Sequence, residues 1–143
     1  MYSSEIGNSA SDENTYSNWY LFSANGKLYA LKCVTRYNSE TRNPESYSAN
    51  LNEITFSGDQ AAANPLFDVD VSQLCSSEGY LPYFQSILGV GDYLMIYSDD
   101  GSSTAGVWCM SLSDGSMKRV DVATSGNYLM NLVAYTNGTA LTE

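Results

Sequence analysis

The chain contains no histidine. That absence excludes a Ser-His-Asp triad, a Cys-His pair, an imidazole acid or base, and every histidine-ligated zinc or iron site. Basic residues are scarce: six Lys and Arg stand against sixteen Asp and Glu, for a formal net charge of −10. A field of that sign repels phosphate backbones and anionic membrane surfaces, so neither nucleic acid nor lipid is an expected partner. A cationic ligand, a neutral glycan or a basic protein face is compatible with it. The three cysteines, Cys33, Cys75 and Cys109, form no Cys-x-x-Cys pair, and no zinc motif follows. Cys33 and Cys109 fall in apolar runs, the setting of a buried thiol. A disulfide between any two would leave one over, and the spacing does not choose. No apolar run is long enough to cross a bilayer. The N-terminal stretch MYSSEIGNSASDENTYSN has neither the basic nor the apolar region of a signal peptide.

What is present is a series of short apolar and aromatic runs cut by turn formers. The stretch from Ile87 to Val122 organises the rest and reads as four strands. Ser86-Ile87-Leu88 is joined through Gly91-Asp92 to Tyr93-Leu94-Met95-Ile96-Tyr97, a link that suits a primed hairpin turn. Val107 to Leu112 leads into Ser113-Asp114-Gly115-Ser116, where Asp-Gly is expected to supply the two positive-φ positions of a type I′ turn. The return, Met117 to Val122, alternates valines with charged residues, as a strand with one wet face does.

Earlier in the chain, Trp19 to Ala24 and Lys27 to Val34 flank Asn25-Gly26, the strongest short hairpin signal. Residues 38–46 read as an exposed loop around Pro44, and Tyr47 to Phe56 returns to a turn at Ser57-Gly58-Asp59. Residues 60–83 are the least regular, with a strand expected over Leu66 to Val71 and a helical turn over Ser72 to Cys75. Leu129 to Tyr135, Asn137-Gly138 and Thr139 to Glu143 begin a last hairpin. The expected organisation is a flexible tail over 1–17 and an all-β domain over 18–143. Its blade-like repeats fall at about 19–59 and 84–122, with a partial one from 128.

Aligning Gly26, Gly91 and Gly138 superimposes YLFSANGKLYAL, SILGVGDYLMIY and NLVAYTNGTALT. Four strands per unit at a period of about 40–50 residues is the pattern of β-propeller blades, with a β-sandwich as the alternative. Tyr93 to Tyr97, Val107 to Ser116 and Lys118-Arg119-Val120 together resemble a blade of bacterial TolB-like propellers. Cys109-Met110 stands where such blades carry an Arg, and Ser113 where they carry Asp. The resemblance implies a non-catalytic interaction platform in the bacterial cell envelope, and an extracellular place is the other location expected. Two and a fraction blades do not close a ring, so the chain is expected to be a piece of a larger propeller, part of an assembly that completes one, or a smaller sheet packing that echoes the pattern.

The function expected is therefore a non-enzymatic module offering loops and an acidic, tyrosine-rich face to a protein or glycan. The chain holds twelve tyrosines. Tyr97, Asp99 and Asp100, where the aromatic strand runs into Asp-Asp-Gly, are the candidate ligand-binding residues. No catalytic residue, metal ligand or cofactor is assigned: the 98–104 stretch departs from the Asp-box of sialidases and lacks the full calcium-loop pattern. One alternative is a glycan-cleaving fragment using Asp68 and Asp70, which alternation places on one face. Another is a structural subunit that assembles through an open sheet edge. Trp108 is expected in the core, and Asn137-Gly138-Thr139 is discounted as a glycosylation site because the hairpin explains it.

Overall fold

The computed structural model describes residues 14–75, 79–98 and 106–120, and the backbone of 132–134 and 140–142. The protein is all-β. Strands β1 (Thr15–Ala24), β2 (Lys27–Tyr37), β3 (Pro44–Ser57) and β4 (Gln60–Val69) form one antiparallel sheet in chain order. A 3-10 turn over Ser72–Leu74 leads to the second sheet, β5 (Phe84–Val90), β6 (Tyr93–Ser98), β7 (Gly106–Ser111) and β8 (Met117–Val120), again in chain order. The hairpin β9 (Leu132–Ala134) and β10 (Ala140–Thr142) forms a third, two-stranded sheet.

The hairpins follow from their turn residues. Asn25 and Gly26 both take positive φ, 51° and 73°, as a type I′ turn requires. At Gly91-Asp92 only the glycine does, with φ 56°, the Gly-first order of a type II′ link. The Asp114-Gly115 turn differs from expectation. Only Gly115 has positive φ, and residues 112–116 form a five-residue loop closed by Ser111 N–H to Ser116 O and Gly115 N–H to Ser111 O, both 2.9 Å. Asp114 spends its carboxylate on the Ser116 N–H at 3.0 Å and the Ser116 hydroxyl at 2.7 Å, which fixes an Asx turn in place of the left-handed backbone.

Several boundaries also move. The strand β3 begins at Pro44, inside the 38–46 stretch expected as an exposed loop, because Pro44 and Ser46 pair with Tyr37 and Arg36. The strand β1 begins at Thr15, inside the stretch expected to be a tail, because Thr15 and Tyr16 pair with Arg36 and Thr35 and the Tyr16 ring sits edge-on to Tyr37. The strand β4 begins at Gln60 rather than Leu66. Its alanines carry no periodic signal, and Pro65 lies beside a bulge at which Phe67 faces Leu51 and Pro65 faces Asn52. An edge strand tolerates that proline because no further strand needs its missing N–H.

The core lies between the two large sheets. Phe22, Leu31, Cys33 and Leu51 of the first face Leu94, Ile96, Trp108 and Met110 of the second. Leu74 of the 3-10 turn plugs the same space, and Trp108 takes its expected place at 7% exposure. The strands β1 and β5 lie side by side, and β5 also lies against β9. Contacts climb β1 and β5 in step: the Tyr20 ring meets Phe84 at 4.6 Å, Ser23 and Ala24 meet Gly89, and the Asn25 amide donates to the Asp92 carboxylate at 2.6 Å. The two strands therefore run in the same direction. Tyr97 and Val107 are buried on the other face of the second sheet, beside the partly buried Leu88, Met95 and Val120.

Gly89 sets the approach of the sheets. A Cβ there would run into the Ser23 carbonyl and touch the Ala24 Cβ. Gly89→Ala is expected to cost about 2 kcal/mol of stability through overpacking. Gly26→Ala, with open space around its Cβ, is expected to cost about 1 kcal/mol for its left-handed backbone alone. Urea unfolding of the two variants checks the difference; equal losses would mean that Gly89 does not limit the packing.

Candidate functional site

The inward face of the first sheet is longer than the second sheet can cover. Beyond Tyr20 and Phe84 it continues through Asn18 and Tyr16 of β1 and Thr35 and Tyr37 of β2, while β5 begins only at Phe84. The space left is a cleft of about 340 Å³, walled on the second side by Leu81 and Tyr83 of the connection into β5 and capped by Arg42. Such a volume is at the small end of ligand sites, which run from about 300 to 1,000 Å³. Tyr16 and Tyr83 are 54% and 72% exposed, so their rings stand in the mouth rather than in the core. Tyr16 meets Tyr37 at 5.5 Å with ring planes 85° apart, which makes a corner of one face and one edge.

Arg42 reaches the cleft from a loop built to hold it. The Asn38 side-chain carbonyl accepts the N–H groups of Glu40 and Thr41, each at 2.9 Å, and its amide donates to the Glu45 carboxylate at 2.7 Å. Asn38 N–H binds Asn43 O at 2.8 Å, and Arg42 N–H binds Asn38 O at 3.0 Å. Closing this loop puts Arg42 at φ 61°, a left-handed conformation uncommon for a long side chain. Strain of that kind is tolerated where the surrounding bonds over-determine it, and it gathers at functional positions.

Of the residues expected from sequence to bind a ligand, Tyr97 does not line this cleft. Tyr97 is 6% exposed and packs with Val107 on the far face of the second sheet, so its ring is taken up by packing rather than offered at a surface. Asp99 and Asp100 lie outside the described residues, as do most of the 98–104 stretch and the Asn137-Gly138-Thr139 triplet. Tyr16, Tyr37, Tyr83 and Arg42 come from four separate segments, one of which read as a tail, and no local motif joins them. The signal available was the excess of tyrosine over the other aromatics.

Asp68 and Asp70 line a second cleft, of about 530 Å³, with Tyr47, Ala49, Val71 and Cys75. The hydroxyl and N–H of Ser72 hold the Asp70 carboxyl below its ordinary range, so it stays ionised. A glycan-cleaving pair needs one carboxyl kept protonated to serve as general acid, and Asp70 is biased the other way. All three thiols are free. Burial, and then Asp70, raises the Cys75 thiol, which keeps it protonated and a poor nucleophile. Among the described residues no cluster of three or more acidic or cysteine side chains is placed to hold a metal ion. No family model, curated protein or solved structure matches the chain.

Two consequences can be measured. Arg42→Asn keeps a side chain that tolerates the left-handed backbone, and is expected to raise stability by roughly 0.5 kcal/mol in urea unfolding. A loss would show that the guanidinium itself supports the loop. Burial pushes the Cys33 thiol from 9.0 to about 12 and the Tyr20 phenol from 10.0 to about 12. Both groups bind their protons more tightly in the folded chain, so their stabilisation is whole below pH 9 and is lost as the pH climbs towards 12. Unfolding free energy is expected to fall from about pH 9 towards about pH 12, and Cys33→Ala to flatten the first part of that fall. A pH-independent profile would contradict the burial of both groups.

Proposed function

We propose that the chain is a non-enzymatic binding module made of consecutive blades of a β-propeller, akin in pattern to the bacterial TolB-like repeats. It offers the tyrosine cleft and the loops beside it to a protein or glycan in the cell envelope or outside the cell. The observation that carries this reading is the order of the first strands: β5 lies between β1 and β9, and β1 and β5 run in the same direction. Sheets that repeat around an axis, each with its first strand innermost, make that arrangement. A two-layer sandwich leaves the outer face of its second sheet to solvent. Here Tyr97 and Val107 are buried on that face.

Propellers close with about four to eight blades. Further sheets, from other copies or from sequence joined to this one, complete the ring. The cleft lies at the end of the sheets that carries the β2–β3 loop and the β4–β5 connection, away from the tight turns at Asn25-Gly26 and Gly91-Asp92. Loops at one end of a rigid scaffold are where binding residues concentrate.

A glycan array and a peptide library, probed with the chain and with Tyr83→Ala, test the reading. An exposed aromatic anchor is worth about 1.4 kcal/mol or more, a tenfold change. Ligands are expected whose binding falls at least tenfold in the variant while its thermal midpoint is unchanged. Ligands indifferent to Tyr83 would place the site elsewhere. Release of sugar from an arrayed glycan, abolished by Asp68→Asn, would replace the binding module with a hydrolase.

A further inference from the structure

We propose that the tyrosine cleft binds a single carboxylate-bearing sugar residue, a hexuronate, with its ring against the tyrosines and its carboxylate on the Arg42 guanidinium. This rests on the binding-module reading and names the ligand class for the same cleft. Four observations converge on it.

The first is the state of Arg42. Its guanidinium has no ion-pair or hydrogen-bond partner among the described residues, in a chain that holds sixteen acidic side chains. The other cations of the first sheet are engaged: Lys27 pairs with Glu53 at 3.3 Å, Arg36 with Glu45 at 3.8 Å, and Lys32 lies over the Trp19 ring at 5.0 Å. An arginine held in left-handed backbone by a bonded loop, at the rim of a cleft and ion-paired with no described carboxylate, is placed to meet an anion from outside. Its planar fork matches a carboxylate with two parallel hydrogen bonds.

The second is the shape of the walls. Tyr16 and Tyr37 make a corner, and Tyr83 stands 72% exposed on the other side. Ring faces set around a gap suit a flat, partly apolar body such as the C–H face of a pyranose. The third is the scatter of polar atoms between them. The Asn18 amide, the Thr35 hydroxyl and the three phenols line the gap without hydrogen-bond partners among the described residues. Hydroxyl groups spread around a sugar ring would use donors and acceptors scattered in this way. A peptide carboxylate would satisfy Arg42 but leave most of them unused.

The fourth is size and charge. A gap of about 340 Å³ holds one or two sugar rings rather than a helix or a strand. The net charge of −10 sets a limit as well, since a polymer of many uronates would be repelled by the chain as a whole. One acidic residue, neutralised locally by Arg42, escapes that repulsion.

The test is an NMR titration of the whole chain with methyl galacturonide and, separately, with the methyl ester of its carboxyl group. The two probes differ in the charge of the carboxyl group and in one added methyl. The uronide is expected to shift amide signals of the cleft strands and of the 38–43 loop, and to bind at least tenfold tighter than the ester. Arg42→Gln is expected to bring the uronide down to the affinity of the ester without changing the ester's own, and Tyr83→Ala to weaken both. Unchanged thermal midpoints show that the variants fold. Equal binding of the two probes in the cleft would overturn the acidic ligand and leave the binding module standing. Binding that survives Tyr83→Ala, or shifts confined to other surfaces, would overturn the site. A glutamate peptide that binds through Arg42 where neither sugar does would overturn the ligand class alone. Silence from sugars and peptides alike would remove both readings.

Discussion

Everything in this molecule depends on how closely β5 can approach β1. The two strands are first in their sheets, and the sheets behind them stack only as tightly as this pair allows. Gly89 makes the approach possible, because any side chain there would have to pass through the Ser23 carbonyl. Once the backbones are in contact, the Tyr20 hydroxyl accepts the Phe84 N–H at 3.4 Å, and Asn25 reaches Asp92. The outer strands are joined differently. Gly115, in the loop after β7, is seated under Phe67 and Val69 of β4, so the second sheet touches the first at both its inner and its outer side. Leu74, from the connection between the sheets, fills the space between these contacts.

The cleft is a by-product of the same stacking. The first sheet has longer strands than the second, and its surplus length at the end far from the tight turns has no sheet opposite it. Aromatic rings line that surplus where aliphatic side chains would have left a dry gap. Burial therefore grades along a single face, from Phe22 at 6% in the core through Tyr20, half-buried, to Tyr16 at 54% in the mouth. A site made in this way needs no special fold. It needs one sheet to outrun another, together with side chains that tolerate both apolar and wet surroundings.

Much of the fold was legible because it is written in short-range signals. Asn25-Gly26 and Gly91-Asp92 mark hairpins by backbone conformation alone, and the four strands of the second sheet fall close to the apolar runs between Ile87 and Val120. Where the signal failed, a longer-range cause had taken over. Gln60 to Ala63 pair with β3 although no periodicity marks them, since a neighbouring strand supplies the pattern that alanine lacks. Asp114 turns the chain by its carboxylate instead of by its backbone angle, which a dipeptide rule does not distinguish. Tyr97 read as a strand-end aromatic near a loop, and in the folded chain its ring is buried beside Val107, a burial that alternation along one strand does not reveal. The cleft was illegible for the same reason: its parts are assembled by registers such as Tyr16 with Thr35, which only the folded sheet sets.

The ends of the sheets divide their labour. At the tight-turn end, Asp92 is held twice, by the Asn25 amide at 2.6 Å through its carboxylate and by the Leu112 N–H at 2.9 Å through its carbonyl. Two-residue links there fix which residue faces which, so pairing is decided before the strands reach their other end. The β2–β3 loop and the β4–β5 connection inherit that register and do not set it. A change in the length or charge of these two segments is therefore expected to leave the strand pairs of the frame in place.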